Sequence, residues 1–95
     1  MSAGYDSHRA DPLTGLGLSA GDFALLTRRV ADFAPGPGRL VLFLEGGYDL
    51  AALQSSVAAT LGALIDADKP SEPSTSGGPG QAVVEAAIDL WSRPG

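Results

Sequence analysis

The sequence predicts an α/β fold in which helices pack against a buried strand of a parallel sheet. The segment 40–44 is a run of five apolar residues within a stretch bounded by Gly38 and Gly46, too short for a helix and typical of a strand covered on both faces. The segments before and after it repeat apolar residues at helical spacing. A Gly-Gly pair joins the strand to the second helix, an order common in α/β domains.

The first helix is predicted to start at Ser19. Residues 1–18 have no helical period and contain several glycines and a proline, so we expect a long loop there. Ser19 is a helix N-cap type, and Asp22 three residues later completes a capping box. The predicted helix ends before Pro35. Its predicted buried stripe consists of Phe23, Leu26, Val30 and Phe33.

A second helix is predicted from about Asp49. Small residues on it, Ala51, Ala52, Ala58 and Ala59, would permit close packing. Its large apolar residues fall on one side, at Leu50, Leu53, Val57, Leu61, Leu64 and Ile65. The strand before it has no predicted neighbour, so its backbone N–H and C=O groups would lack partners. The sequence therefore predicts the end of a larger α/β domain, incomplete as a stand-alone unit.

Three segments are predicted along the chain. Residues 1–68 hold the elements above, and residues 69–80 are rich in Pro, Ser and Gly, so a flexible linker is expected. Residues 81–95 carry apolar residues at helical spacing and predict a last short helix, stopped by Pro94.

Composition limits the class of partner and of metal site. The net charge is −5 and the six basic residues are scattered, which argues against a nucleic-acid partner. The chain has no cysteine, so any metal must be held by carboxylate, imidazole or water oxygen. It has no apolar run of membrane-spanning length and no signal-peptide pattern, so a cytoplasmic location is expected.

The opening of the chain holds a cluster of residue types that bind metals. Asp6, His8 and Asp11 lie within six positions, and Asp6 and His8 would point to the same side of an extended segment. The same stretch also has the composition of an ordinary turn, because Asp-Pro and Gly punctuate it. Local spacing alone favours the turn, with Arg9 paired to a carboxylate at the surface.

The segment "FLEGGYDL" is the second candidate site. It lacks both common phosphate-binding patterns, G-x-G-x-x-G and G-x-x-x-x-G-K-[ST], which argues against a nucleotide site. Gly46 and Gly47 would let the backbone pass close to a ligand, and Tyr48 would lie at the carboxyl end of a strand. The Tyr48 hydroxyl could donate a hydrogen bond to a developing oxyanion, or the ring could simply pack on its neighbours, which local pattern favours.

Taken together, "SAGYDSHRADPLTGLGLS", "DFALLTRRV" and "RLVLFLEGGYDL" resemble the C-terminal part of the zinc-dependent histone deacetylase family. That family includes bacterial acetoin-utilisation proteins and acetylpolyamine amidohydrolases, and the chain is most similar to its class II and bacterial branches. The resemblance spans residues 2–67. It implies the C-terminal portion of an arginase/deacetylase-like parallel-sheet fold.

The resemblance also implies roles for individual residues. Asp6 matches one of three protein ligands to a catalytic zinc, and Tyr48 matches the tyrosine that stabilises the tetrahedral oxyanion. Gly46 and Gly47 would hold that loop close to the substrate, and Leu13 matches a position lining the acyl-lysine tunnel. The implied reaction is hydrolysis of the acetyl-amide of acetyl-lysine or an acetylated polyamine. The resemblance gives no ligand role to His8.

Much of the implied catalytic machinery is not encoded in these 95 residues. The resemblance implies two catalytic histidines and an Asp-x-His ligand pair further upstream, whereas this sequence contains one histidine. We therefore expect no tight zinc binding and no activity from the chain alone, and we expect it to be a truncated gene product or an expressed piece. Docking of the chain on the missing part of the domain is then possible. The alternative is a non-catalytic protein-interaction remnant of the same fold, which binds a partner through its unpaired strand and helix faces.

Overall fold

The structure is a computed structural model that describes residues 1–13, 15–66 and 70–93. The described residues form two short strands and three helices, which confirms the predicted α/β class. In chain order these elements are β1 (Ser2–Ala3), α1 (Ala20–Ala31), β2 (Phe43–Leu44), α2 (Leu50–Leu64) and α3 (Gln81–Ser92). The predicted segment boundary at 68–69 and the predicted stop at Pro94 lie outside the described residues.

The two strands pair in parallel, with Ser2 opposite Phe43 and Ala3 opposite Leu44. Backbone hydrogen bonds extend beyond both strands, because the Phe43 N–H donates to Met1 at 2.9 Å and the Glu45 N–H donates to Ala3 at 2.9 Å. The prediction of a loop throughout residues 1–18 is therefore wrong at its start. A two-residue strand is too short to give a period in the sequence.

The core lies between the sheet and the first two helices. Tyr5 and Phe23 are buried and meet edge to face, with ring centroids 4.9 Å apart. Ala3 joins this cluster, and Leu53 and Val57 of α2 pack against it. The Tyr5 hydroxyl donates to Thr60 Oγ1 at 2.8 Å, so the polar end of this buried ring has a partner.

The helices α1 and α2 pack through small residues rather than through their large apolar ones. Ala20 and Ala24 of α1 are buried together with Ala59 of α2. Phe23 is the only buried member of the stripe predicted for α1. Phe33 lies beyond the end of the helix and is 89% exposed. On α2, Ala52, Ser56, Ala59 and Thr60 are buried, whereas Leu50 is 81% exposed. Small side chains allow the helix axes to approach closely, so the contact follows them.

The expectation that the strand is covered on both faces is wrong within the described residues. Val41, Phe43 and Leu44 are each at least 60% exposed. Phe23 of α1 and Leu53 of α2 both pack on the side of the sheet that carries Ala3 and Tyr5. An apolar strand therefore faces solvent.

Residues 72–75, here called the strap, fold back onto the start of α1. The Ser19 hydroxyl donates to the Pro73 carbonyl at 2.6 Å, and the Thr75 N–H donates to Asp22 Oδ1 at 2.8 Å. Glu72 accepts a hydrogen bond from the Ala20 N–H at 3.1 Å. The N–H groups and side chains at the helix start thus give the strap specific partners, and the flexibility predicted for residues 69–80 stays a prediction.

Candidate functional site

The two motifs singled out in the sequence lie at the same edge of the sheet. Asp6 follows β1 and the Gly46–Gly47 turn follows β2, and the carboxyl ends of parallel strands meet at one edge. The Tyr5 N–H donates to the Gly46 carbonyl at 3.0 Å, which joins the two segments directly. A Cβ added to Gly46 would lie 3.8 Å from Asp6 Cγ, so the Asp6 carboxyl group lies beside the turn.

Only glycine fits the turn at position 47. Gly46 and Gly47 have φ angles of 106° and 135°, which L side chains rarely adopt. A Cβ at Gly47 would lie 2.9 Å from Leu53 Cδ1 and 3.2 Å from Tyr5 Cβ. The glycine pair therefore lets the loop cross close to the core before Asp49 caps α2 by accepting from the Ala52 N–H at 2.9 Å.

Tyr48 lies at the end of this turn and is 59% exposed. The exposure does not support the interpretation, favoured by local pattern, that its ring packs on neighbours. Its backbone N–H donates to Asp11 Oδ2 at 2.8 Å. The loop is therefore anchored through its backbone while the phenol lies at the surface.

Asp11 belongs to the opening cluster, for which the sequence left a metal ligand and an ordinary turn as alternatives. It is buried, with 6% of its surface exposed, and its second carboxylate oxygen accepts from the Leu13 N–H at 2.9 Å. That second bond is the local turn typical of Asx residues, which the Asp-Pro pair could have indicated. The bond to Tyr48, 37 residues away, has no local signal.

His8 has a structural partner for each ring nitrogen. It is 3% exposed, and its Nδ1 accepts from the Ala10 N–H at 3.0 Å. The proton is therefore assigned to Nε2, which donates to Glu72 Oε1 at 2.7 Å. With both nitrogens occupied, His8 is not arranged as a metal ligand.

Glu72 accepts hydrogen bonds that favour its charged form. The hydrogen bond from His8 contributes most to lowering the pKa of Glu72, burial opposes it, and bonds from the Ala20 N–H and Arg9 add to the lowering. Arg9 Nη2 lies 2.9 Å from Glu72 Oε2. The strap thus holds the loop that follows Asp6.

The donor set in this chain does not by itself form a zinc site. Among residues 1–13, 15–66 and 70–93, no three His, Cys, Asp or Glu side chains are grouped to hold a metal ion. Both Asp11 oxygens accept backbone bonds and both His8 nitrogens are occupied. Asp6, the ligand that the family resemblance predicts in the opening cluster, would supply a single carboxylate, which is far from the four ligands that zinc takes. Leu13, the predicted channel residue, is 67% exposed.

Comparison with known proteins identifies the family. The histone deacetylase domain model matches residues 1–64, and the chain belongs to the histone deacetylase family. It is 49% identical over 67 residues to a chloroplastic histone deacetylase 10 from rice, Oryza sativa subsp. japonica, covering 68% of this chain and 15% of the rice protein. It is 43% identical over 70 residues to the chloroplastic histone deacetylase 14 of Arabidopsis thaliana, covering 72% of this chain and 16% of that protein.

A third relative comes from an archaeon. A probable deacetylase of Archaeoglobus fulgidus is 46% identical over 52 residues, covering 53% of this chain and 14% of that protein. The chain thus spans about 15% of the rice relative's length.

The strap and α3 lie beyond the family match. In the described residues, each helix is too short or too polar to cross a bilayer.

Proposed function

We propose that this chain is the C-terminal part of a zinc-dependent amidohydrolase that removes acetyl groups from acetyl-lysine or acetylated polyamines. The observation that carries this proposal is the placement of Asp6 and Tyr48 at one edge of the parallel sheet. Ligands of open α/β sheets bind at this edge, beyond the carboxyl ends of the strands.

Each site residue has a chemical task in this proposal. Tyr48 donates its hydroxyl proton in a hydrogen bond to the oxygen on which negative charge develops, and its exposure leaves the phenol accessible to a substrate. Gly46 and Gly47 bring the backbone close to the acyl group, and Leu13 lines the channel that the acyl chain enters. Asp6 would contribute one carboxylate ligand to zinc, and the other ligands would come from sequence outside this chain. Zinc supplies Lewis acidity and an activated water.

The test is replacement of Tyr48 by Phe in the complete domain that contains this chain. Loss of one oxyanion donor lowers turnover by about 100- to 1,000-fold, whereas the zinc content stays unchanged because a phenol is not a ligand. Steady-state deacetylation of an acetyl-lysine peptide and of an acetylated polyamine gives the rates, and metal analysis gives the zinc content.

Tyr5→Phe is the matched control, since it removes the same hydroxyl from a buried ring that bonds Thr60 instead. It should reduce stability by about 1 kcal/mol and leave turnover intact below the unfolding temperature. A Tyr48→Phe enzyme as fast as the unaltered one would contradict the role of Tyr48.

A second candidate function is a non-catalytic interaction module that docks on another polypeptide. The solvent-facing apolar strand favours it, with Val41, Phe43 and Leu44 mostly exposed. The DNA upstream of the reading frame separates the two proposals. A paired histidine and an Asp-x-His motif encoded there support the enzyme, and their absence in every frame supports the module.

We also propose a cytoplasmic location for the complete protein. The rice and Arabidopsis relatives are chloroplastic by name, so an organelle is the alternative. Imaging of the complete protein with a C-terminal fluorescent tag separates these two locations.

A further inference from the structure

Asp11 joins the two halves of the candidate site through one buried carboxylate. Its Oδ1 accepts from the Leu13 N–H at 2.9 Å, and its Oδ2 accepts from the Tyr48 N–H at 2.8 Å. We propose that Asp11 is a positioning residue, which fixes the acyl-channel residue Leu13 and the oxyanion donor Tyr48 relative to each other. This inference rests on the proposed function.

The carboxylate is well suited to hold both segments. It is 6% exposed, so water competes little for its oxygens, and bonds from N–H groups to an ionised carboxylate are stronger than neutral ones. Asp11 is itself held in place, since its own N–H donates to the His8 carbonyl at 2.9 Å. His8 is in turn bonded to Glu72 of the strap at 2.7 Å.

Tyr48 depends on such a bond more than a core residue would. Its side chain is 59% exposed, so packing alone does not fix its direction. The two glycines before it have positive φ and give the chain unusual freedom. The bond to Asp11 therefore restricts the backbone at the point where the phenol leaves the loop.

The link between Leu13 and Tyr48 has a consequence for the reaction. Because one carboxylate binds both N–H groups, a shift of the loop after β1 moves the oxyanion donor together with the channel wall. A displacement of about 1 Å at a reacting group can lower a rate by about 100-fold. Asp11 would therefore affect turnover without touching the substrate.

The experiment uses amide hydrogen exchange and fluorine NMR on the full 95-residue chain. Uniform ¹⁵N labelling reports the Leu13, Tyr48 and Tyr5 amides. Incorporation of 3-fluorotyrosine gives one ring signal for each of the two tyrosines. Tyr5 is an internal control because its N–H bonds Gly46 and its ring is buried. Asp32→Asn, at an exposed carboxyl group, is the control variant.

Asp11→Ala should speed exchange of both the Leu13 and Tyr48 amides at least about tenfold, since each loses a bond to a charged acceptor. The fluorine signal of Tyr48 should move toward that of free fluorotyrosine, while the signal of Tyr5 stays. Asp11→Asn keeps one acceptor oxygen, so it can bind only one of the two N–H groups. Exchange should therefore be fast at one of the two amides at least, and the other amide should regain the protection that Asp11→Ala removes. Asp32→Asn should change none of these signals.

Three results would overturn the proposal. The first is an Asp11→Asn variant in which the exchange rates of the Leu13 and Tyr48 amides both stay within about twofold of those in the unaltered chain. This measurement tests the proposal even if Asp11→Ala fails to fold, which exposure of Tyr5 would reveal. The second is a Tyr48 ring signal that stays in place although its amide is deprotected. The third is movement of Tyr5 and Tyr48 together in the folded Asn variant.

Failure of the proposed function gives a different result. An active Tyr48→Phe enzyme would remove the catalytic role and leave the exchange data as they are. Unchanged exchange in the Asp11 variants would remove the positioning role and leave the rate loss in Tyr48→Phe as it is.

Discussion

At the scale of single residues, buried and half-buried carboxylates connect separate segments of this chain through hydrogen bonds. Asp11, Asp22 and Glu72 each accept hydrogen bonds from more than one segment. Burial by itself raises the pKa of Asp22, but bonds from the Ser19 N–H, from the Thr75 hydroxyl and N–H, and from the Ser19 hydroxyl outweigh it and lower that pKa. The charged forms of Asp22 and Glu72 are thus favoured in the folded structure.

We predict that acid weakens the fold through Asp22 and Glu72. Their folded-state pKa values lie below the ordinary values of 3.8 and 4.5. Each group therefore adds stability that is fully present above its ordinary value and is lost as the pH falls through its folded value. Chemical unfolding measured from pH 7 to 2.5 should give a constant contribution down to about pH 5 and a decline below it.

The double variant Asp22→Asn with Glu72→Gln is the check on this acid dependence. It should be less stable at pH 7 and should show a shallower decline below pH 5. Glu85→Gln, on the exposed α3, is the control. An equally steep decline in the double variant would place the acid sensitivity elsewhere.

At the scale of secondary-structure elements, α1 packs closely against both α2 and the strap. The buried faces of α1 and α2 carry Ala20, Ala24 and Ala59. The Asp22 carboxylate accepts from the Ser19 N–H at 2.8 Å, as the capping box predicts, and the same group accepts from the strap residue Thr75. The start of α1 is therefore both a helix cap and the docking point of residues 72–75.

We predict that Gly21→Ala releases the strap and leaves α1 intact. A Cβ at Gly21 would lie 2.4 Å from the Ser74 nitrogen and 2.5 Å from the Glu72 carbonyl oxygen, so the strap backbone must move. Alanine favours a helix over glycine by about 1 kcal/mol, so α1 itself is not weakened. Amide exchange at Thr75 should speed up, because its bond to Asp22 opens.

Gly17→Ala is the matched control, since a Cβ there meets nothing within 4 Å. It should leave the Thr75 amide protected. Protection of Thr75 in Gly21→Ala equal to that in the unaltered chain would mean that the strap does not lie against this helix.

The whole molecule leaves much of its apolar surface facing solvent. Phe43 and Leu44 of β2 are exposed, and every described residue of α3 is exposed, with Trp91 at 87%. A contiguous apolar strand open to water is typical of an interaction surface. At this scale the chain has the character of one part of a sheet, in agreement with a match that spans about 15% of the rice relative.

We predict that the chain alone does not hydrolyse acetyl-lysine peptides, even after incubation with zinc. Under the proposed function Asp6 would be one of the zinc ligands, and a single carboxylate neither holds zinc nor supplies the proton transfers that histidines perform. Acetate release measured with the purified chain should equal that of the buffer. Adding the remainder of the domain as a second polypeptide should produce turnover. Activity of the metal-loaded chain without it would contradict this prediction.

The sequence by itself determined the helices, the glycine turn and the family. Ser19 with Asp22, and Asp49 before α2, are capping signals read from neighbouring residues, and both helices begin where they indicate. Two motifs separated along the chain carried the resemblance that the match over residues 1–64 confirms. Contacts within a few residues set the helix starts and the glycine turn, so the local sequence pattern was sufficient to predict them.

Only the tertiary structure decided which faces are buried and how the site is braced. The large apolar stripes predicted for α1 and α2 are mostly exposed, since burial depends on which elements lie opposite. The Asp11 bond to Tyr48 spans 37 residues and the His8 bond to Glu72 spans 64. Such bonds depend on how the chain folds back on itself, which neighbouring residues do not encode. His8 is therefore a buried partner of the strap, and the zinc-ligand role of Asp6 stays a prediction from the family resemblance.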